Sequence, residues 1–185
     1  MPSLSIAAVS AARQIERRDW ERLAPDGHPF LDADFFTLME QHETAGPACG
    51  WHAHHRVATN PDGAVVGLVP TYIKSNSHGD FVRDWSWAAA YQQLGKTYYP
   101  KLLSGVPHTP ASGPRFLVAA GSDSDQVRTR LIEHIKASVA ESGFSSWLVA
   151  LPATDEVELL RANGRPVSRD VQFHWRDHGY GDVDG

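Results

Sequence analysis

The chain has 185 residues and a formal net charge of -5, and its 42% hydrophobic and 21% charged residues are typical of a globular protein. The negative charge argues against an extended phosphate-binding surface, so no nucleic-acid partner is expected. The single cysteine, Cys49, excludes an internal disulfide. There is no secretory pattern and no apolar stretch of roughly 20 residues, so we expect a cytoplasmic protein without a membrane segment.

The first half of the chain alternates short strand and helix patterns. Its predicted elements are a strand at 4–9, a helix at 10–23, a helix at 32–43, and strands at 51–59 and 64–74. The sequence NPDG between the two later strands is typical of a hairpin turn. Pro70 predicts an interruption in the second of these strands.

The second half contains the clearest helix of the chain. Its predicted elements are a short helix at 81–95, an extended segment at 101–106, a strand at 113–119, the long helix at 121–143, a strand at 144–152, a helix at 154–164 and a last strand at 166–175. This order predicts an α/β fold in a single domain, 1–185. Its sheet is mixed, mostly antiparallel and flanked by helices.

The segment TYYPKLLSGVPHTPASGPR, residues 97–115, is a candidate binding segment. Its four prolines remove backbone donors, so any recognition falls to side chains. Tyrosine with lysine or arginine binds a carboxylate or a sugar-peptide by stacking and charge-assisted hydrogen bonds. The candidates are Tyr98, Tyr99, Lys101, His108 and Arg115. Alternatively, the tyrosines pack a crossover and the charges face water, although adjacent tyrosines on an extended segment point in opposite directions.

Aromatic residues of the helix at 81–95 are candidate walls for the same site. Trp87 and Tyr91 share one helical face, and Trp85 lies beside them. The alternative is that this helix packs its aromatic side chains on the sheet.

The last predicted strand contains a candidate general base. Gln172 and His174 share one face of VQFHW, and a histidine titrates near neutrality, as proton transfer from an attacking amine requires. The alternative is a structural histidine. His52 and His54 have the spacing of two metal ligands on a strand, but no further ligands are evident, so we predict no metal site.

Three stretches carry a resemblance to a known family: VPTYIKSNSHGDFVRDWSWAAAYQQLGKTYYPKLLSGVPHTPASGPR, PFLDADFFTLMEQHETAGPACGW and QFHWRDHGY. They resemble the GNAT-like, FemAB-related family of peptidoglycan biosynthesis or recognition. The chain departs from the family pattern at His108 and Ser112, where phenylalanine and threonine are usual. Family members typically continue into a second lobe, so the chain resembles the N-terminal lobe of a two-lobed protein.

The resemblance implies a GNAT-like fold of the acyl-CoA N-acyltransferase type. The function it implies is an acyl or aminoacyl transferase, or one lobe of one, that acts on an amine of a cell-wall-related precursor. The alternative is a non-catalytic lobe for peptidoglycan recognition or dimerisation. The implied partners are a small molecule or cell-wall precursor, and either a second copy or a second GNAT-like lobe. An aminoacyl-tRNA donor is disfavoured by the net charge.

Acyl-CoA is the cofactor that the resemblance implies, but the standard pyrophosphate loop is not found. GNAT enzymes hold the pyrophosphate on free N–H groups at a helix N-terminus. Here the corresponding helix begins AGSDSDQVR, and Asp123 and Asp125 occupy those donors and repel a pyrophosphate. The sequence therefore disfavours the standard mode of CoA binding.

Overall fold

A computed structural model describes residues 4–121, 123–171, 173–179 and 181. The strands are β1 (Ser5–Val9), β2 (Trp51–Ala53), β3 (His55–Thr59), β4 (Val65–Val69), β5 (Thr71–Lys74), β6 (Lys101–Ser104), β7 (Leu117–Val118) and β8 (Trp147–Val149). The helices are α1 (Arg17–Leu23), α2 (Ala33–Gln41), α3 (Trp85–Gln93), α4 (Ser124–Ser142) and α5 (Thr154–Ala162). None of the helices in these ranges is both long and apolar enough to cross a membrane.

One long hairpin joins the two four-stranded sheets, which have the orders β1-β3-β4-β7 and β2-β5-β6-β8. Its first arm is β2 followed by β3, and its second arm is β4 followed by β5. The N–H of His54 donates to the carbonyl of Thr71 at 2.8 Å where the sheets meet. Pro70 separates β4 from β5 because it has no N–H to donate, which confirms the predicted interruption.

Strands β6 and β7 pair with the two halves of the second hairpin arm. Leu103 lies opposite Tyr72, and Leu117 lies opposite Leu68. Between them, residues 105–116 leave the sheet and return. Strand β8 runs parallel to β6, whereas the other strand pairs among the described residues are antiparallel. The predicted mixed, mostly antiparallel sheet is therefore confirmed.

Helices cover both faces of the sheets. On one face, Trp20 of α1 and Phe36 of α2 pack with Tyr72 in one apolar cluster. On the other face, Leu131 and Ile135 of α4 pack with a second cluster that is continuous with α5. This α4 stripe has the spacing of four that its sequence predicts.

Two predicted elements differ in the structure. The helix expected from Ser10 is broken into a 3-10 turn (Ala12–Gln14) and α1, because the backbone of Ile15 is extended and its side chain is buried in the core. The described part of the strand predicted at 166–175 forms no strand, and Phe173 is 94% exposed. An alternating pattern needs a neighbouring strand to pair with, and none lies beside this segment among the described residues.

The segment 105–116 hydrogen-bonds to the residues that follow β8. Nε of the buried Arg115 donates to the carbonyl of Ala150 at 2.8 Å, and the N–H of Gly113 donates to the carbonyl of Leu151 at 3.2 Å. The carboxylate of Glu156, in the first turn of α5, accepts the N–H groups of Arg115 and Phe116. The carbonyls that follow β8 are therefore used inside the protein.

Replacing Arg115 with methionine should lower the free energy of unfolding by about 2 kcal/mol or more, because the carbonyls of Ala150, Ala111 and Pro114 lose their donor. Urea denaturation measures the loss. Arg130→Met, at an exposed α4 position, is the matched control and should stay within about 0.5 kcal/mol of the parent. Equal stability of the two variants would contradict a structural role for Arg115.

Candidate functional site

Two lysines and a tryptophan lie side by side at one end of the β2-β5-β6 sheet. Trp51 pairs with Lys74, and Lys74 pairs with Lys101, so the three side chains share one face of neighbouring strands. All three residues have no solvent exposure. Two buried ammonium groups at adjacent positions require compensation from elsewhere in the chain.

The compensation for Lys101 comes from the segment that links β5 to α3. Its Nζ donates to Ser77 Oγ at 2.8 Å, to Asp80 Oδ2 at 2.8 Å and to Asp84 Oδ2. Burial alone raises the pKa of Asp84, but the hydrogen bonds from Lys101, Ser77 and Tyr98 outweigh it and lower that pKa. The carboxylate of Asp84 is therefore held in its charged form beside the buried ammonium group.

Both predicted tyrosines reach this group. Tyr98 Oη donates to Asp84 Oδ2 at 2.6 Å, and Tyr99 Oη lies 2.8 Å from Ser77 Oγ. The expectation that they point in opposite directions is wrong because they precede β6 and do not lie in a strand. We call the set Ser77, Asp80, Asp84, Tyr98, Tyr99 and Lys101 the lysine cluster. The structure thus brings three predicted site residues together.

Lys74 lies next to the lysine cluster in a different environment. Its Nζ donates to the carbonyl of His78 at 3.1 Å and lies 3.6 Å above the ring centroid of Trp51. Burial lowers the pKa of Lys74 to about 7, although the charge of Asp80 opposes the shift. The predicted site residue His108 packs on the same tryptophan, with ring centroids 5.3 Å apart. Near neutral pH, Lys74 thus exists in both protonation states.

The remaining predicted residues are more dispersed. Tyr91 lies against Tyr98 with ring centroids 5.1 Å apart, whereas Trp85 and Trp87 are 59% and 64% exposed on α3. Arg115 is buried beside the carbonyl of Ala150, which follows β8, whereas Lys101 begins the neighbouring parallel strand β6. The two residues therefore lie towards opposite ends of these strands. His174 lies in an exposed irregular segment, so its predicted strand context is absent.

Two further predictions concern Gln172 and a metal site. Gln172 lies outside the described residues. Within the described ranges, no group of three or more histidine, cysteine, aspartate or glutamate side chains is arranged to hold a metal ion. His54 instead lies near Phe144, with ring centroids 6.4 Å apart.

A second polar group lies under α2, and the sequence patterns did not predict it. Glu40 Oε1 accepts from Tyr72 Oη at 2.9 Å and lies 2.8 Å from His55 Nε2, while Oε2 accepts the N–H of Ala12 at 2.7 Å. Burial alone raises the pKa of Glu40, but contact with His55 and these hydrogen bonds outweigh it and lower that pKa. The available signal was its position four residues after Phe36, on the buried face of α2.

Glu40 borders an open cavity of about 400 Å³, which we call the Glu40 pocket. Its walls are the 3-10 turn before α1, the α2 side chains, the turn at 45–47 and the edge of β2. Arg13, Glu43 and His52 supply further polar groups at this opening. The cavity therefore combines an ionised, anchored carboxylate with charged side chains of both signs.

Solved structures of N-acetyltransferases have a similar fold. The chain is similar to aminoglycoside 6'-N-acetyltransferase AAC(6')-Ih from Acinetobacter baumannii (TM-score 0.52, 9% identity, covering 96% of this chain and 100% of that chain). It is also similar to ribosomal-protein-alanine N-acetyltransferase from Brucella melitensis biovar Abortus 2308 (TM-score 0.52, 13% identity, covering 95% of this chain and 100% of that chain). A third similar structure is AAC(6')-Iy in complex with the bisubstrate analogue CoA-S-monomethyl-acetylneamine (TM-score 0.56, 15% identity, covering 95% of this chain and 99% of that chain). These similarities define a GNAT fold.

The chain belongs to the FemAB-like family, described as peptidoglycan biosynthesis/recognition, whose profile matches residues 11–185. This confirms the family that the sequence motifs indicated. No curated protein matches the chain.

The residues present do not fit acyl-CoA in the standard GNAT mode. Asp123 and Asp125 stand at the N-terminus of α4, where a pyrophosphate would meet negative charge. The position that the pyrophosphate takes in the standard mode is therefore unfavourable for an anion.

Replacing Lys101 with methionine should destabilise the protein by about 3 kcal/mol or more, because Asp80 and Asp84 would be left buried without their cation. Urea denaturation measures the change. The control is Lys136→Met on α4, which should have a small effect. An unchanged midpoint for the Lys101 variant would contradict the described ion pairs.

Lys74→Met tests the lowered lysine pKa. The folded protein holds the pKa of Lys74 at about 7, below the ordinary 10.5, so between these values the unfolded chain binds more protons. The stability that Lys74 confers therefore rises with pH across this window. We expect the free energy of unfolding of the parent, relative to that of Lys74→Met, to increase between about pH 7 and about pH 9.5. A pH-independent difference would refute the shift.

Proposed function

We propose that the chain is one lobe of an N-acyltransferase that acts on an amine of a cell-wall-related precursor, and that the Glu40 pocket holds this amine. The observation that carries the proposal is the ionised carboxylate of Glu40 at an open pocket. The GNAT fold and the FemAB-like family support the reaction class and the cell-wall connection. The expected location is the cytoplasm.

The charges of the pocket favour an amine with a nearby carboxylate. An aliphatic amine is an ammonium ion at neutral pH and pairs with a carboxylate. Glu40 is held in its charged form, and Glu43 adds a second carboxylate at the opening. Arg13 offers a cation for a carboxylate of the same molecule. A peptide that carries both groups matches this arrangement.

The residues have separate roles in this proposal. Glu40 binds and orients the ammonium group, since a carboxylate with a lowered pKa is a weak base. His174 stays the proposed general base, and Gln172 stays a proposed neighbour. Trp85, Trp87, Tyr91 and His108 stay proposed substrate contacts outside the lining of the Glu40 pocket. Within the lysine cluster, Lys101 holds Asp84 and Ser77, and these two residues hydrogen-bond to Tyr98 and Tyr99.

The acyl donor enters by another route. The residues of this chain do not form the standard CoA site. An activated acyl group would reach the acceptor from a second lobe, which resembles the arrangement of the family, or from a second copy of the chain.

A second candidate function is recognition without catalysis. The acidic start of α4 favours it, because negative charge there opposes binding of a pyrophosphate. In that case the Glu40 pocket binds a cell-wall peptide and no transfer follows.

Calorimetry with the tripeptide Ala-Lys-Ala tests the pocket, and the same peptide with its side-chain amine acetylated is the matched ligand control. We expect Glu43→Gln to weaken binding of the free amine by about fivefold, since one charge pair is lost. Glu133→Gln, exposed on α4, serves as the protein control. Equal affinity for both peptides would contradict an amine site.

Incubation of the same tripeptide with acetyl-CoA, followed by mass spectrometry, separates the two candidate functions. An acetylated product that requires the protein supports the transferase. Binding without product supports the recognition lobe. Absence of binding and of product would overturn both.

A further inference from the structure

Strand β2 has one free edge, and that edge forms a wall of the Glu40 pocket. Among the described residues, the strand pairs with β5 alone, on one side. Strand β1, which covers the same edge of β3, ends at Val9 opposite His55. The three residues of β2 continue the line of β3. Beyond the end of β1, no strand among the described residues lies beside them on this side.

The hydrogen-bond pattern shows which backbone groups face the pocket. His54 N–H donates to Thr71, and the carbonyl of Gly50 accepts from Ser75, so even-numbered residues bond towards β5 and its following turn. In an antiparallel pair the intervening residues point the other way. Accordingly, the N–H of Trp51 donates to Gly46 at 3.1 Å.

Ala53 is the next outward-facing position. Among the described residues, no backbone group outside the strands pairs with its N–H or carbonyl on this side. Ala53 lines the Glu40 pocket, and its side chain is partly buried. A donor and an acceptor of the main chain thus face the cavity together with the carboxylate of Glu40.

We propose that the Glu40 pocket takes a short extended peptide, which adds to β2 as a strand in line with β1. Main-chain hydrogen bonds to Ala53 fix the peptide, and its amine reaches Glu40 and Glu43. Strand addition of this kind uses backbone groups for affinity and side-chain pockets for specificity. The inference rests on the proposed function, because it defines the amine-bearing acceptor as a peptide.

The boundaries of the free edge favour a short peptide. Val9 closes it at one end, and the turn that joins Gly46 to Trp51 closes it at the other. The span between them corresponds to about three residues at the rise of a strand. A cavity of about 400 Å³ is in the range of small-ligand sites. Opposite charges at its rim match the amine and carboxylate of a peptide.

Ala53→Pro tests the main-chain contact, because proline removes the outward N–H and is tolerated on an edge strand where that group faces away from the ladder. Ala53→Ser is the matched control that alters the side chain and keeps the N–H. The probe is Ala-Lys-Ala, titrated into isotope-labelled protein and followed by NMR, with the spectrum reporting the fold. We expect the proline variant to bind at least about fivefold more weakly than the serine variant.

A second probe keeps the test decisive if the proline variant does not fold. Ala-Lys-Ala methylated on the backbone nitrogen of its central residue lacks a donor for the strand pairing. We expect it to bind the parent protein more weakly than the unmodified peptide. Equal binding of both peptides, or equal binding by the proline and serine variants, would overturn strand addition.

The outcome for this inference can be told apart from that for the proposed function. If Glu43→Gln weakens peptide binding while Ala53→Pro does not, the amine site stands and strand addition fails. If the parent binds no peptide, strand addition fails, and acetylation of n-butylamine in the presence of acetyl-CoA decides the transferase separately. A product then supports the transferase, and no product refutes transfer from acetyl-CoA by this chain.

Discussion

The burial of the Lys101 ammonium group is the constraint on which this end of the molecule depends. A cation without solvent contact needs charged partners, and Asp80 and Asp84 meet that need from outside the sheet. Because Asp84 also forms the start of α3, the ion pair holds that helix near the sheet although no α3 residue is buried. An ion pair thus positions α3, whereas apolar packing positions α2 and α4.

The same sheet face connects the lysine cluster with the Glu40 pocket. Lys74 lies over Trp51, Trp51 packs edge-on against Tyr72 with centroids 5.2 Å apart, and Tyr72 donates to Glu40. Each contact is direct, so a side chain displaced at one end changes the packing at the other. The proposed acceptor site and the buried lysines are parts of one polar strip under α2 and the segment before α3.

Sequence patterns predicted the fold better than the site. Periodicity located α4, the NPDG turn defined the hairpin, and Pro70 indicated its interruption, because each is a local effect. The role of Arg115 could not be predicted, since its partner Ala150 is 35 residues away in the sequence and meets it only after β8 is in place. Glu40 was missed for a similar reason: its partners His55 and Tyr72 lie in distant strands. Alternation at 166–175 predicted a strand that has no neighbour among the described residues.

The short free edge of β2 also bears on self-association. An exposed strand edge is a template on which other chains can pair, and long edges therefore promote aggregation. Here β1 on one side and the turn before Trp51 on the other leave room for a few residues only, so pairing cannot propagate along the sheet. The polar rim of Glu40, Glu43 and Arg13 penalises an apolar strand at this place. The molecule can thus keep an open edge and still resist indiscriminate sheet growth.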